Sequence, residues 1–258
     1  MEFILLTLSL FATTIGAMTG FGGGFIIKPL LDAAAIYDTS TISVLSSVTV
    51  LTMAVTTTIR YKANHVQYGK NVLYLSAGSA AGGYFGKLLF SLLVRLSPDT
   101  TMKIIQAAVL ICLLIVILFQ NRYKRFLVVN PLLILLAGAA LGVISSFLGI
   151  GGGPFNVVIL CILFSINVKD AAVYSIFIIL CSQAVSVGAK LAGGEIIASH
   201  LYSLAFMVPA AIAGGFLGAH IACRLSEQSV KRLYFGTVIM MLAINIWIVI
   251  RESLIILS

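Results

Sequence analysis

The sequence predicts an all-α polytopic membrane protein made of two homologous repeats, each with about five helical segments that include a glycine-broken helix pair. Three observations predict it. Of 258 residues, 60% are hydrophobic and 9% charged, against roughly 45–50% and about 25% in soluble domains. Apolar runs, most of them near the roughly 20 residues that cross a bilayer, fill nearly the whole length and leave short polar connections. Two glycine runs, Gly20-Phe-Gly-Gly-Gly24 and Gly149-Ile-Gly-Gly-Gly153, interrupt that pattern 129 residues apart.

The same shift of 129 brings Ser46 onto Ser175 and Ser97 onto Ser226. Gly82-Gly-Tyr-Phe-Gly86 matches Gly214-Gly-Phe-Leu-Gly218 at a shift of 132, which places an insertion of about three residues near Gly193-Gly194. Residues 1–125 read as the first membrane repeat and 126–258 as the second, together forming one transport domain.

The segments follow in chain order. The first, 3–19, opens with Met1-Glu2-Phe3-Ile4, which lacks a basic signal-peptide region, and Ala12-Thr-Thr14 is a poor cleavage site, so this run is expected to stay. Segments 25–36, 39–60, 70–94 and 101–120 complete the first repeat; 130–148, 154–166, 169–190, 199–223 and 229–250 form the second. The second segment of each set is about a dozen residues, ~18 Å of helix, short of the ~30 Å hydrocarbon core. Each glycine run therefore joins a longer helix to a half-helix, either as a re-entrant hairpin or as two short tilted spans. Pro154, directly after Gly153, suits the first turn of a helix, and Gly24-Phe25 with Pro29 one turn later marks the equivalent start.

Loop charge bears on topology. Of the 16 Lys and Arg residues, Lys28 and Lys87 lie within apolar segments and 14 remain. If each glycine-bearing pair returns to its starting side, the repeats are inverted. Arg60, Lys62, Lys70, Arg122, Lys124, Arg125, Lys169, Arg224, Lys231 and Arg232 then fall inside, with Arg95, Lys103, Lys190 and Arg251 outside, ten against four. A parallel arrangement gives eight against six. The positive-inside bias favours inversion with both termini outside.

Inverted half-helices bring two helix starts toward the midplane, where backbone N–H groups and positive dipole ends favour an anion. The triplets Gly22, Gly23, Gly24 and Gly151, Gly152, Gly153 are the first candidates for substrate binding. Lys28, one turn into the half-helix, adds a cation whose insertion at depth costs ~2.5–3.5 kcal/mol, unless its long stem snorkels to the interface. Lys87 has a weaker claim. Asn156, in the first turn after Pro154, is the strongest polar candidate of the second repeat.

On the next helix of each repeat stand Ser43, Ser46, Ser47, Thr49 and Thr52, and Tyr174, Ser175, Ser182, Gln183 and Ser186. Ser46, Ser175 and Gln183 are carried forward as substrate-binding candidates, although Ser and Thr hydroxyls also bond their own helix backbone. The pairs Gly82/Gly86 and Gly214/Gly218 read as helix-packing positions.

Other classes are excluded or disfavoured. Cys112, Cys161, Cys181 and Cys223 are scattered singly, and His65, His200 and His220 are isolated, so neither a disulfide framework nor a metal site is expected. The net charge of +8 sits in connections, where membrane lipid and positive-inside sorting account for it better than nucleic acid. No Walker motif and no catalytic constellation is present, so neither enzyme activity nor a cofactor is expected. Asp32 and Asp38 read as lying near a membrane edge and Glu195 in a connection, leaving few groups for proton coupling, with His220 the best-placed imidazole.

The paired Gly-x-Gly-Gly-Gly motifs with Pro29 and Pro154, the Ser46 and Ser175 positions and the later Gly-Gly-x-x-Gly segments resemble the sulfite exporter TauE/SafE family over essentially the whole chain. Lys28 stands where an apolar residue is more usual, and the second repeat has Val157-Val158 where a proline is expected. The resemblance implies a transporter of sulfite or organosulfur anions such as sulfoacetate in the prokaryotic cytoplasmic membrane. Alternating access at a midplane site between the repeats is the leading mechanism. An anion channel, or a carrier for a non-sulfur organic anion, is the alternative. Homo-oligomerisation through Gly-x-x-x-Gly faces is open.

Overall fold

The computed structural model describes residues 2–34, 37–63, 69–119, 127–128, 130–194 and 198–257. Its elements are helices: α1 Glu2–Thr19, α2 Gly24–Ala34, α3 Thr39–Ala63, α4 Lys70–Leu96, α5 Asp99–Leu118, α6 Pro131–Leu148, α7 Gly153–Phe164, α8 Val168–Ala192, α9 Ala198–Arg224 and α10 Glu227–Leu257. No strand occurs among the described residues. Seven of the helices are long and apolar enough to cross a membrane. The half-helices α2 and α7, of 11 and 12 residues, are not.

Local chemistry sets the boundaries. Asn130 caps α6 by accepting from the Leu132 amide at 3.0 Å, with Pro131 in the first turn. Asn167 caps α8, accepting from the Asp170 amide at 2.8 Å and donating to the Asp170 carboxylate at 2.8 Å. Pro154 stands in the first turn of α7, as its sequence position predicts. The last helix runs beyond the expected 250, through Arg251 and Glu252, because those charges find places inside the fold: Arg251 donates to the Ala33 carbonyl at 2.7 Å, and Glu252 is buried.

Glycine stripes draw helices together. Gly78, Gly82 and Gly86 of α4 face the backbone carbonyls of Leu135, Ala139 and Val143 on α6, while Gly138 and Gly142 face those of Leu75 and Ser79. Both sets advance together, so α4 and α6 run parallel. Likewise Gly214 and Gly218 of α9 face the Leu10 and Thr14 carbonyls of α1. These small-residue faces are thus used within one chain, which is why they are unavailable to a second copy in this arrangement. At the centre α3 and α8 run antiparallel. Lys190 near the end of α8 bonds Ser43 near the start of α3, and Val50 and Ile179 meet further along against Gly22 and Gly151.

A methyl at Gly82 has no room to form without displacing the Ala139 backbone, whereas one at Gly188 meets no atom within 4 Å. Gly82→Ala is expected to destabilise the protein by about 1–3 kcal/mol and Gly188→Ala to leave it unchanged or slightly stabilised. Thermal melts of the purified variants in detergent check the contrast; equal melting points contradict this helix interface.

Candidate functional site

Each glycine run is a turn in the protein interior. Gly20 and Gly149 take left-handed backbone conformations, φ 77° and 67°, which cost a side-chain-bearing residue ~1–2 kcal/mol. Both turns free carbonyls that water cannot reach, and each is satisfied from the other half of the chain. Ser46 on α3 donates to the Gly149 carbonyl at 3.0 Å; Ser175 on α8 donates to the Gly20 carbonyl at 2.7 Å and to that of Gly153 at 3.2 Å. The turns also touch directly. Gly153 abuts the Phe21 backbone, and Gly24 lies against Ser46, Val50 and the Ile150 carbonyl.

This contact refines the expectation of two open helix starts. The amides of Phe25, Ile26 and Ile27 bond the Gly22 and Gly23 carbonyls, those of Phe155 and Asn156 bond Gly152, and the Gly23 amide meets the Met53 sulfur at 3.5 Å. In this conformation the triplets therefore pack on one another.

Lys28 is 3% exposed and does not snorkel. Its ammonium donates to Gln106 Oε1 of α5, whose Nε2 donates to the Phe147 carbonyl at 2.7 Å, and it stands 5.8 Å from the Phe90 ring centre. It also approaches Gly149, where a Cβ would lie 3.6 Å from Lys28 Nζ and 3.1 Å from Ser43 Oγ. From the opposite side comes Lys190, 2% exposed, donating to the Ser43 carbonyl at 2.8 Å, Ser43 Oγ at 2.9 Å and Ser47 Oγ at 2.8 Å. Two buried lysines, one from each half of the sequence, thus converge on the Gly149 turn through Ser43.

Two sequence expectations need correction. Lys190 is no loop residue: α8 continues through Leu191 and Ala192, so its ammonium turns inward. Lys103 is likewise helical and buried, paired with Asp99 at 2.7 Å. Asp32 is buried, 6% exposed, with Oδ1 lacking a hydrogen-bond partner.

Other candidates fall in different places. Thr49 and Thr52 bond their own helix at Leu45 and Val48, and Ser182 bonds Ile179. Asn156 Oδ1, both ends of the Gln183 amide and the Ser145 and Ser146 hydroxyls are buried without partners, so no hydrogen bond joins Gln183 to the lysines. Lys87 is buried in α4. His220 meets Arg60 at 3.1 Å; His65 and Glu195 lie outside the described residues, as does the His200 side chain. No metal-ligand cluster occurs among the described residues.

A cavity of about 320 Å³ opens where α1 and α3 end and α8 begins, lined by Met18, Tyr61, Lys169, Asp170, Val173, Ala222 and Cys223. Its floor is the last turn of α1, immediately before the first glycine turn.

Residues 5–246 match the sulfite exporter TauE/SafE family. The chain belongs to that family. It is accordingly a multi-pass membrane transporter of the prokaryotic cytoplasmic membrane rather than an enzyme. The transporter is also similar to the probable membrane transporter protein YunE of Bacillus subtilis (strain 168), 27% identical over 250 residues that cover 88% of this chain and 90% of the relative. No solved structure matches the transporter.

Sequence reasoning missed Lys190, Gln106 and Ser43 as one cluster. The signal for Lys190 was the apolar pair that follows it; for Gln106 it was a lone amide inside an otherwise apolar run. If the two serine bonds close the turns, Ser46→Ala and Ser175→Ala each leave a buried carbonyl short of a donor and cost about 1–3 kcal/mol. Melting of both variants in detergent checks this, and a wild-type melting point in either removes that serine from turn closure.

Proposed function

We propose that this transporter is a secondary carrier of small anions, sulfite or organosulfur anions such as sulfoacetate, bound at the Gly149 turn between Lys28 and Lys190. The observation that carries the reading is the convergence of those two buried ammonium groups on one turn. Buried lysines at membrane depth are retained for a partner, a cavity or a substrate. Here their donors go to Gln106, Ser43 and Ser47, neutral groups that an oxyanion outcompetes through charge-assisted bonds. The Gln183 amide, Asn156 Oδ1 and Ser145 Oγ, which lack partners, supply further neutral donors and acceptors along a path as the bundle rearranges.

Residues 1–125 and 126–258 act as inverted repeats in this reading. Support comes from the antiparallel run of α3 against α8, the third segment of each repeat, and from the exchange in which α1 lies on α9 while α6 lies on α4. Charge agrees: with the buried Lys103 and Lys190 removed from the count, inversion puts ten basic residues inside and two outside. The cavity at Lys169 then opens to the cytoplasm. Of its repeat-related positions, Phe147 for Met18, Lys190 for Tyr61, Val44 for Val173 and Phe90 for Ala222 are buried. Alternating access exchanges these two sets of positions, with Lys190 leaving Ser43 and Ser47 as the outer side opens.

Lys28→Met and Lys190→Met are each expected to lower anion flux into proteoliposomes by about tenfold or more, the loss of one charge-assisted contact. The flux is saturable and shows counterflow. Wild-type flux in both folded variants contradicts the site, and unsaturable flux favours a channel. Cysteines placed at Ser97 and Ser226, repeat-related connections, are expected to label from opposite membrane faces; labelling from one face contradicts inversion.

A further inference from the structure

Beside the anion turn lies a second polar place, which shares Lys28 and Gln106 with the anion site and adds Asp32. A small void of about 10 Å³, the scale of a single water, is lined by Lys28, Pro29 and Asp32 of α2, Gln106, Ala107 and Leu110 of α5, Asn245 of α10, and Leu148 and Ile150 flanking the Gly149 turn. Asp32 is buried, lines this void and leaves Oδ1 without a hydrogen bond. An unmatched carboxylate in a low-dielectric interior is costly and, at membrane depth, points to function.

The charges around Asp32 define its options. Lys28 stands one turn earlier on α2, Lys103 and Asp99 face it from α5, and Glu252, 4% exposed, faces it from α10. Arg251, also on α10, is engaged with the Ala33 carbonyl and stacks 5.4 Å from the Trp247 ring centre. Gln106 and Asn245 are neutral, and Asn245 donates to its own helix at Met241. Because Lys103 is held by Asp99 at 2.7 Å, Lys28 is the cation that balances Asp32.

We propose that Asp32 is the site of a coupling proton, and that its proton and the anion at Lys28 travel together, making this protein an anion–proton symporter. The proposal rests on the anion reading above. When an anion takes the Lys28 ammonium, Asp32 loses its counter-charge beside a second negative group. A proton taken from water at the open face then forms an O–H bond on the Asp32 carboxylate and restores the balance. At the opposite face the carboxylate returns that proton to water as the anion leaves. Linkage makes the coupling reciprocal: protonated Asp32 leaves the charge of Lys28 to the anion, so the anion binds more tightly at low pH and more weakly as Asp32 ionises.

The test uses the full-length protein in liposomes loaded with a pH-sensitive dye and an externally added anion whose charge does not change near neutral pH, thiosulfate or sulfoacetate, its uptake followed in parallel. Wild-type protein is expected to acidify the lumen as anion enters, and Asp32→Asn to lower acidification per anion by about fivefold or more. Saturable anion uptake without acidification by wild-type protein overturns the proton site while the anion carrier stands. Unchanged acidification per anion in Asp32→Asn overturns the assignment to Asp32. No uptake by folded wild-type protein overturns the anion reading on which the proposal rests. The wild-type arm needs no variant to fold, so a collapsed Asp32→Asn protein leaves the inference testable.

Discussion

Two helices stop inside the protein, at Gly20 and Gly149, and the backbone they release must be satisfied without water. Every other feature of this protein follows from how that is done. Ser46 of one half closes the turn at Gly149 in the other, and Ser175 returns the bond to Gly20. The carbonyls of Gly20 and Gly149 are each met from the other half, and the turns meet backbone to backbone at Phe21 and Gly153. The antiparallel α3 and α8, which carry the two serines, thereby become the axis of the molecule, and the glycine-lined contacts of α4 with α6 and α9 with α1 clamp the periphery.

That closure explains where charge goes. The meeting turns leave no place for a cation between them, and the lysines approach from the flank, where Ser43, Ser47 and Gln106 offer neutral acceptors. The bundle is open at Lys169, while Lys28, Lys190, Phe90 and Phe147 are buried.

Much of the fold was legible in the sequence. The ten segments, the short second member of each set and the helix start at Pro154 follow from hydrophobic run length and proline geometry, which act locally. Gly82 and Gly214 were legible as contact residues because close helix approach needs small side chains wherever it occurs. The site was less legible. Ser46 and Ser175 were found by their repeat offset, yet their partners, the carbonyls of the opposite turn, are set by tertiary contact. Lys190 was hidden because a lysine near a helix end reads as a loop charge unless the helix is seen to continue, and Asp32 because its burial depends on the packing of α2 against α5 and α10. Such residues break the local rule that charge belongs outside, and the contacts that compensate them are distant in sequence.

The most direct measurement is a cryo-electron microscopy structure of the protein in lipid nanodiscs with sulfite bound. Anion density is expected within hydrogen-bonding reach of Lys28 Nζ and Lys190 Nζ, against Ser43 and the Gly149 turn. Density remote from both lysines, with their ammonium groups still on Gln106, Ser43 and Ser47, contradicts it.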